Sequence, residues 1–313
     1  MNGGYIVAVG AACTDEYYRA EEWPAEGDKG LVTAMEDQVG GMIANAACVF
    51  AGYGEKVYLL DSMNGGAASK KLKENLEQYG IDTSHILRDD RLPDAKCMIV
   101  VTPSERTILV LDRGSFRRAL EPKAKRLLLG AACVYSTLTE FRRFPEPEVL
   151  ARELKAAGVR LVFDLEPSTF QNADDPLFQL ANILFFNETG LTKYCAGRDE
   201  NDCRNELLQS DVEIVVTTLG ADGCDCRTIR ETVRIPGIPV PVVDTTGAGD
   251  TFNSSFVHCI LRGETLAYAA RFANTAATHA VTVLGPKGGV TSHAAVESFM
   301  KDYYPSTKDL HVV

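Results

Sequence analysis

Short apolar runs alternate with amphipathic stretches along most of the chain. The apolar runs, each about the length of a buried strand, are 5–9, 159–163, 183–186 and 214–216. Stretches such as 69–79 and 149–157 carry apolar residues at helical spacing. Strands that are apolar throughout and separated by helices are typical of a parallel sheet covered on both faces. The sequence therefore predicts an α/β fold whose ligands bind beyond the carboxyl ends of the strands.

Two segments interrupt this alternation. Residues 96–101 and 107–111 flank a turn at 103–106, which predicts a β-hairpin, and 14–35 holds polar, strand-prone stretches. We expect these segments to pair into a small β-sheet that stands over the ligand site; two ordinary surface loops are the alternative. The expected division is a lid of residues 14–35 and 95–114 on a core of residues 1–13, 36–94 and 115–313.

Charge narrows the range of partners. The 313 residues include 32 Lys and Arg against 43 Asp and Glu, which gives a net charge of −11. An acidic chain lacks the basic surface that nucleic-acid binding needs. Anionic small molecules remain candidate ligands, because helix N-termini bind them through backbone N–H groups.

The sequence also predicts a cytoplasmic protein without a membrane partner. No run approaches 18 apolar residues, and the first residues carry neither the basic segment nor the long apolar segment of a secretion signal. Nine cysteines are scattered through the chain, several of them inside apolar runs. This usage indicates free thiols in a reducing compartment.

A glycine-rich turn near the C-terminal end carries the clearest chemical signal. Residues 240–243 predict a strand, and a helix is expected to begin at Ala248. Gly247 and Gly249 let the backbone approach a ligand closely. The N–H groups of residues 247–250 then point toward one position, where the helix dipole favours negative charge.

Asp250 lies in the first turn of this helix, where its own charge would repel a bound phosphate. A carboxylate is useful at that position if it removes the proton from a hydroxyl that attacks a phosphoryl group. The N–H groups would stabilise the charge that develops on the phosphoryl oxygens. The alternative is that the turn is only a tight turn with a capping Asp.

Four motifs resemble those of the ribokinase-like (pfkB) carbohydrate kinases. They are DTTGAGDTF at 244–252, GGMIANAA at 40–47, YGIDTS at 79–84 and TTLGADG at 217–223. They follow one another in the family's order and span most of the chain. The resemblance implies a three-layer sandwich with a mostly parallel central sheet and a small β-sheet lid, and it implies ATP-dependent phosphorylation of a sugar hydroxyl.

The resemblance also assigns roles to individual residues. It implies that Asp250 is the catalytic base and that Gly247, Ala248 and Gly249 form the anion hole. Asp15, Gly41 and Asn45 are the implied sugar-binding residues. A carboxylate such as Asp15 can accept two hydroxyl hydrogen bonds. The alternatives are that Asp15 is only a turn residue and that Asn45 is only a solvated surface residue. Arg106 is a further candidate, because a phosphorylated sugar would need basic side chains near the lid.

On the nucleotide side, the resemblance implies roles for Asn187, Thr218, Gly220, Gly223 and Asn274. Close helix packing is the alternative for the small residues around Asn274. Asp244 and Thr246, together with a carbonyl-rich turn at 284–289, are candidate ligands for K⁺ or another monovalent cation.

One position departs from the family's pattern. Family members usually carry Asn-x-x-Glu after the strand at 183–186, and this Glu organises Mg²⁺. Here Asn187 is present but Gly190 stands at the Glu position. Mg²⁺ is still expected with ATP, bound mainly through phosphates and water. Glu188 is a poor substitute, since it lies two residues away.

A free pentose, ketohexose or related sugar is the leading acceptor. A nucleoside kinase of the same fold is the alternative, with Tyr17, Tyr18 and Trp23 as stacking surfaces. Gly190 motivates a third hypothesis, a non-catalytic protein that binds sugar or nucleotide. A dinucleotide-dependent dehydrogenase is disfavoured, because 10–13 lacks the required glycine pattern. The open edges of the lid sheet favour a homodimer formed through it.

Overall fold

A computed structural model describes residues 4–103, 106–114, 116–304 and 311–312. The strands are β1 (Ile6–Val9), β2 (Cys13–Ala20), β3 (Val32–Ala34), β4 (Gln38–Gly40), β5 (Val57–Leu60), β6 (Ser62–Met63), β7 (Leu87–Arg88), β8 (Lys96–Val101), β9 (Arg106–Val110), β10 (Cys133–Thr137), β11 (Arg160–Leu165), β12 (Ile183–Asn187), β13 (Ile214–Thr218), β14 (Gly223–Arg227), β15 (Thr232–Pro236) and β16 (His311–Val312). The helices are α1 (Met42–Gly52), α2 (Ala67–Gln78), α3 (Pro122–Leu129), α4 (Leu138–Phe141), α5 (Pro147–Ala156), α6 (Leu177–Leu180), α7 (Glu188–Cys195), α8 (Glu200–Leu208), α9 (Ala248–Leu261), α10 (Leu266–Ala280) and α11 (His293–Tyr303).

The central sheet has the strand order β16-β15-β14-β13-β12-β11-β10-β1-β5. Six neighbouring strands run parallel, namely β5, β1, β10, β11, β12 and β13. Strands β14, β15 and β16 continue the sheet antiparallel. The apolar runs of the sequence account for β1, β11, β12 and β13. The prediction of a mostly parallel sheet is therefore confirmed.

Helices cover both faces of this sheet. Successive residues of a strand point to opposite faces. Accordingly, Ile6 and Ala8 of β1 belong to one buried cluster, with residues of α1, α9 and α10. Val7 and Val9 belong to a second cluster, with residues of α3, α5, α7 and α8. The sheet thus forms the middle layer of three, as the sequence predicts.

A second, smaller sheet has the order β3-β2-β8-β9, and β4 also pairs with β2. The predicted hairpin is confirmed, because β8 and β9 pair antiparallel. The pairing of β2 with β8 is parallel and joins the two segments that interrupt the alternation. Strand β4 joins the small sheet from outside the predicted lid segments. The division into core and lid remains a prediction.

The predicted strand at 240–243 is wrong. These residues form no helix or strand, and both Val242 and Val243 are exposed. Pro239 precedes the segment and Pro241 lies within it, and neither has the N–H group that a central strand must donate. The helix after the turn begins at Ala248, as predicted.

All nine cysteines are buried free thiols. Within the described ranges, no helix has the length and apolar character needed to cross a membrane.

Candidate active site

A cavity of about 300 Å³ lies at the carboxyl ends of three neighbouring parallel strands. Residues at or just after the ends of β11, β12 and β13 line it, together with the first turns of α9. The lining side chains are those of Asp164, Glu166, Phe186, Asn187, Glu188, Thr189, Thr218, Asp250 and Asn253, and the backbones of Gly220 and Gly249 complete the wall. The cavity lies where ligands bind in parallel α/β sheets.

The start of α9 exposes backbone N–H groups to this cavity. Gly247 precedes the helix with a φ of 75°, and a side chain there would overlap the carbonyl oxygen of Pro286. In the described structure, no carbonyl oxygen accepts a hydrogen bond from the N–H of Gly249 or Asp250. The N–H of Ala248 bonds to the carbonyl of Thr245 at 3.3 Å. The first turn therefore leaves N–H donors of Gly249 and Asp250 without a described backbone acceptor.

Asp250 faces the cavity and forms no ion pair with any described residue. Its Oδ2 accepts a hydrogen bond of 2.8 Å from Nδ2 of Asn45. Burial, followed by the nearby charge of Asp164, holds the pKa of the Asp250 carboxyl well above its usual range. This environment strengthens the carboxylate as a proton acceptor.

Asn45 and Asp15 are both buried, so neither is the solvated or turn residue that the alternatives describe. The Oδ1 atom of Asn45 has no hydrogen-bond partner among the described residues. Asp15 lies on β2, and its Oδ1 accepts a bond of 3.2 Å from the Cys13 thiol. Burial raises the pKa of Asp15. Gly41 precedes α1 with a φ of 103°, and a side chain there would press on the carbonyl of Ala11.

Two neighbours of Asp15, Cys13 and Cys97, were not singled out by the sequence, and Tyr17 was named only as a stacking surface for a nucleoside. Cys13 and Cys97 bring their sulfur atoms to 3.5 Å, and both thiols lie beside the Asp15 carboxylate. The hydroxyl of Tyr17 is buried and has no hydrogen-bond partner in the part of the chain described. Burial raises the pKa of Tyr17 to about 12. The apolar run around Cys97 predicts only a strand. The pairing of β2 with β8 is what brings Cys97 beside Asp15.

The Arg106 side chain contacts Asp244 and Thr246, the two residues predicted to hold a monovalent cation. Its guanidinium is 3.2 Å from Oδ1 of Asp244 and also bonds to the Thr246 hydroxyl. Asp244 further accepts bonds from the N–H groups of Thr246 and Gly285, at 2.8 Å and 3.0 Å. A guanidinium already balances the charge at this position.

The five predicted nucleotide residues separate into two groups. Asn187, Thr218 and Gly220 line the cavity, whereas Gly223 and Asn274 are not among its lining residues. Nδ2 of Asn274 donates to the Pro236 carbonyl and to the Tyr304 hydroxyl. Gly223 has a φ of 99°, and a side chain there would overlap the backbone of β15, so its glycine is needed for the fold.

Sequence reasoning missed Asp164, Glu166 and Asn253, all of which line the cavity. Asp164 and Glu166 lie at the end of a predicted strand, which is the position where functional residues of parallel sheets concentrate. Asn253 lies one helical turn after Asp250. Their position after a predicted strand could have identified Asp164 and Glu166 as candidates, but nothing in the sequence alone places them beside α9.

The oxygen atoms around this part of the cavity suit a hard cation. Asn253 is buried, and its Oδ1 has no partner in the described ranges. Asp164 and Glu166 add carboxylates, and no described Lys or Arg lies within ion-pair distance of either. Carboxylate and amide oxygens are the ligands that Mg²⁺ takes from proteins.

Comparison with known proteins agrees with this fold. The profile of the pfkB family carbohydrate kinases matches residues 4–292. A ribokinase from Haemophilus influenzae is 29% identical over 268 residues, which cover 84% of this chain and 87% of that protein. A nucleoside kinase from Methanothermobacter thermautotrophicus is 24% identical over 284 residues, 88% of this chain and 89% of that protein.

The solved structure of Arabidopsis thaliana ribokinase complexed with ribose and ATP shares the fold, with a TM-score of 0.81 at 23% identity. The match covers 95% of this chain and 99% of that one. The chain belongs to the pfkB family of carbohydrate kinases, and its fold is that of ribokinase. It is a phosphotransferase of the sugar and nucleoside kinase class.

Proposed function

We propose that this protein transfers the terminal phosphoryl group of ATP to a hydroxyl group of a free sugar. The observation that carries the proposal is the position of Asp250. Its carboxylate faces the same cavity as the N–H groups of Gly249 and Asp250, which have no other described acceptor. A base beside an anion site is the arrangement that phosphoryl transfer to an alcohol requires.

In the proposed reaction, Asp250 takes the proton from the sugar hydroxyl as its oxygen attacks the phosphorus atom. The bond from phosphorus to the bridging oxygen breaks, and ADP leaves. The N–H groups of residues 247–250 stabilise the charge on the transferring phosphoryl oxygens. Asn45 positions Asp250 through its hydrogen bond of 2.8 Å.

The polar atoms around Asp15 suit an acceptor with several hydroxyl groups. The carboxylate of Asp15, Oδ1 of Asn45 and the hydroxyl of Tyr17 are buried, and the last two have no described partner. Unsatisfied buried polar atoms are costly unless a ligand completes their hydrogen bonds. We also propose that Gly41, which is half-buried and precedes α1, contacts the sugar through its backbone.

An uncharged sugar is favoured over a phosphorylated one. The basic side chains near the lid that could bind a sugar phosphate are Arg106 and Arg113. Both already form ion pairs with carboxylates. Arg106 contacts Asp244, and Arg113 lies 3.4 Å from the buried Asp61. Binding a sugar phosphate would need one of these contacts to break. The same reasoning applies to a monovalent cation, which would have to displace Arg106 from Asp244 and Thr246.

For the nucleotide, we propose contacts with Asn187, Thr218 and Gly220, because these residues share the cavity with Asp250. Mg²⁺, when bound with ATP, offsets the negative charge of the phosphates. We assign Gly223 and Asn274 to the fold around the nucleotide side, since their contacts lie within the protein.

The test is sugar-dependent ADP release, measured in a coupled assay with ribose, fructose, 2-keto-3-deoxygluconate, adenosine and fructose 1-phosphate. We expect a free sugar to give the highest turnover. Asp250→Asn should lower kcat by about 10²–10⁴-fold, the usual contribution of a general base, and should keep ATP binding. Asp174→Asn is the control, because Asp174 is exposed and lies outside the cavity.

The rival functions give different results in the same assay. A nucleoside kinase would respond to adenosine rather than to sugars, with the exposed lid residue Trp23 as a stacking surface. A non-catalytic binding protein would bind sugar or ATP without releasing ADP. Full activity in Asp250→Asn would contradict the proposed mechanism.

We also propose that the protein forms a homodimer through the small sheet. Strand β9 is an edge of that sheet, and the residues at its end are apolar and exposed. An open, apolar edge strand is a surface that proteins usually cover.

A further inference from the structure

The end of β11 brings two carboxylates to the cavity that the assigned roles leave unexplained. Asp164 is buried, and its Oδ2 accepts a bond of 2.9 Å from the Tyr135 hydroxyl and another of 2.9 Å from Nδ2 of Asn253. The carboxylate of Glu166 accepts no hydrogen bond from any described residue. No described basic side chain pairs with either acid.

A second observation points to a positively charged ligand. Asn253 is 4% exposed and lines this cavity, and its Oδ1 is buried without a partner. Its Nδ2 already donates to Asp164, so the amide turns its oxygen away from that donor bond. A buried acceptor beside two carboxylates is satisfied by a cation or by a hydrogen-bond donor.

The third observation concerns Gly190. The resemblance to the pfkB kinases implies Glu at this position, whereas here a side chain would overlap the carbonyl oxygen of Leu165. Helix α7 therefore packs directly against the end of β11, one residue before Glu166. The carboxylate that position 190 lacks and the additional carboxylate of Glu166 therefore both belong to the contact between α7 and the end of β11.

We propose that Glu166, together with Asp164 and Oδ1 of Asn253, holds the divalent cation of the bound nucleotide in place of the carboxylate that Gly190 lacks. This inference rests on the proposed function, which supplies the nucleotide. Two carboxylates and an amide oxygen match the preference of Mg²⁺ for a few protein oxygens beside phosphate. The cation also offsets the repulsion between the two acids.

The test measures binding of Mn²⁺, a probe for Mg²⁺, by the loss of its free electron paramagnetic resonance signal. The full chain is titrated with Mn²⁺ in the presence of a non-hydrolysable ATP analogue. Glu166→Gln removes the charge at nearly constant shape, and we expect it to weaken Mn²⁺ binding by about 10–100-fold. Binding of the metal-free nucleotide should change by less than about twofold.

Glu188→Gln is the matched control, because Glu188 lines the same cavity from the next strand end. We expect this variant to bind Mn²⁺ like the wild type. Wild-type affinity in Glu166→Gln, or a loss in Glu188→Gln instead, would overturn the proposal. Glu166→Asp keeps the charge and should retain most of the affinity, and the melting temperature of each variant identifies any that fails to fold.

The outcome is separable from that of the proposed function. Mn²⁺ binding that depends on Glu166, without sugar-dependent ADP release, would reject the proposed reaction and keep the metal site. Turnover in the wild type, with Mn²⁺ affinity unchanged in Glu166→Gln, would reject the metal site alone.

Discussion

The hydrogen bond between Asn45 and Asp250 joins two motifs that lie 205 residues apart in the chain. We expect Asn45→Ala to lower kcat/KM for the sugar by about 10–100-fold. The variant loses a hydrogen bond to a charged group, which contributes about 1.5–3 kcal/mol. It also loses the buried Oδ1 that is free to meet a sugar hydroxyl. The KM for ATP should stay within about twofold of the wild type, as measured by steady-state kinetics.

Asn205→Ala serves as the control for this change, because Asn205 is exposed on α8, away from the cavity. A variant Asn45→Ala that keeps its full kcat/KM for the sugar would argue against a direct role for Asn45. Equal losses for sugar and ATP would indicate a general disturbance of the fold.

Some residues of the site were predictable from the sequence and others were not. Asp250 and Gly247 lie in a continuous motif, so local spacing alone places an acid beside free N–H groups. Glu166 and Asn253 come from different elements, and only the packing of α9 against the strand ends brings them to one cavity. The contact of Arg106 with Asp244 likewise depends on how the small sheet meets the central one.

At the scale of elements, α7 packs closely against the end of β11 near the cavity. Gly190→Ala adds a methyl group against the carbonyl of Leu165, which belongs to a buried strand and has little room to move. We expect the free energy of unfolding to fall by about 1–3 kcal/mol, the usual cost of overpacking. The urea midpoint should fall while the slope of the transition is unchanged.

Thr192→Ala, an exposed change on the same helix, is the matched control and should leave the urea midpoint nearly unchanged. A Gly190→Ala variant as stable as the wild type would mean that α7 can move away from β11 at little cost. The tight contact between α7 and β11 would then not explain why the position is glycine.

The elements were predictable wherever periodicity and length agreed. Strands β1, β11, β12 and β13 and the hairpin of β8 and β9 follow from apolar runs with clear turn signals. The strand expected at 240–243 failed because Pro239 precedes it and Pro241 lies inside it, and proline lacks the N–H group that a central strand donates to its neighbour. Strand β4 is only three residues long and carries too little pattern to be found.

At the scale of the whole molecule, the edge strand β9 exposes apolar side chains on both faces of the small sheet. In the observed register, Asp15 lies opposite Cys97, and Cys97 lies opposite Val110. Residues directly opposite each other share a face of a sheet, so Val110 lies on the same face as Asp15. The other face carries the ion pair of Lys96 with Glu16, whose Nζ and Oε1 atoms are 2.7 Å apart.

The exposed apolar side chains of β9 are the surface that a second copy of the chain would cover. Val110 is 72% exposed at the open edge, and Ile108 shares its face and is 45% exposed. We expect the wild type to have the mass of a dimer in size-exclusion chromatography with light scattering. Val110→Lys should give the monomer mass, since it places a charge in the buried contact. Val149→Lys, at an exposed position on α5, should keep the dimer, whereas a monomeric wild type would exclude this interface.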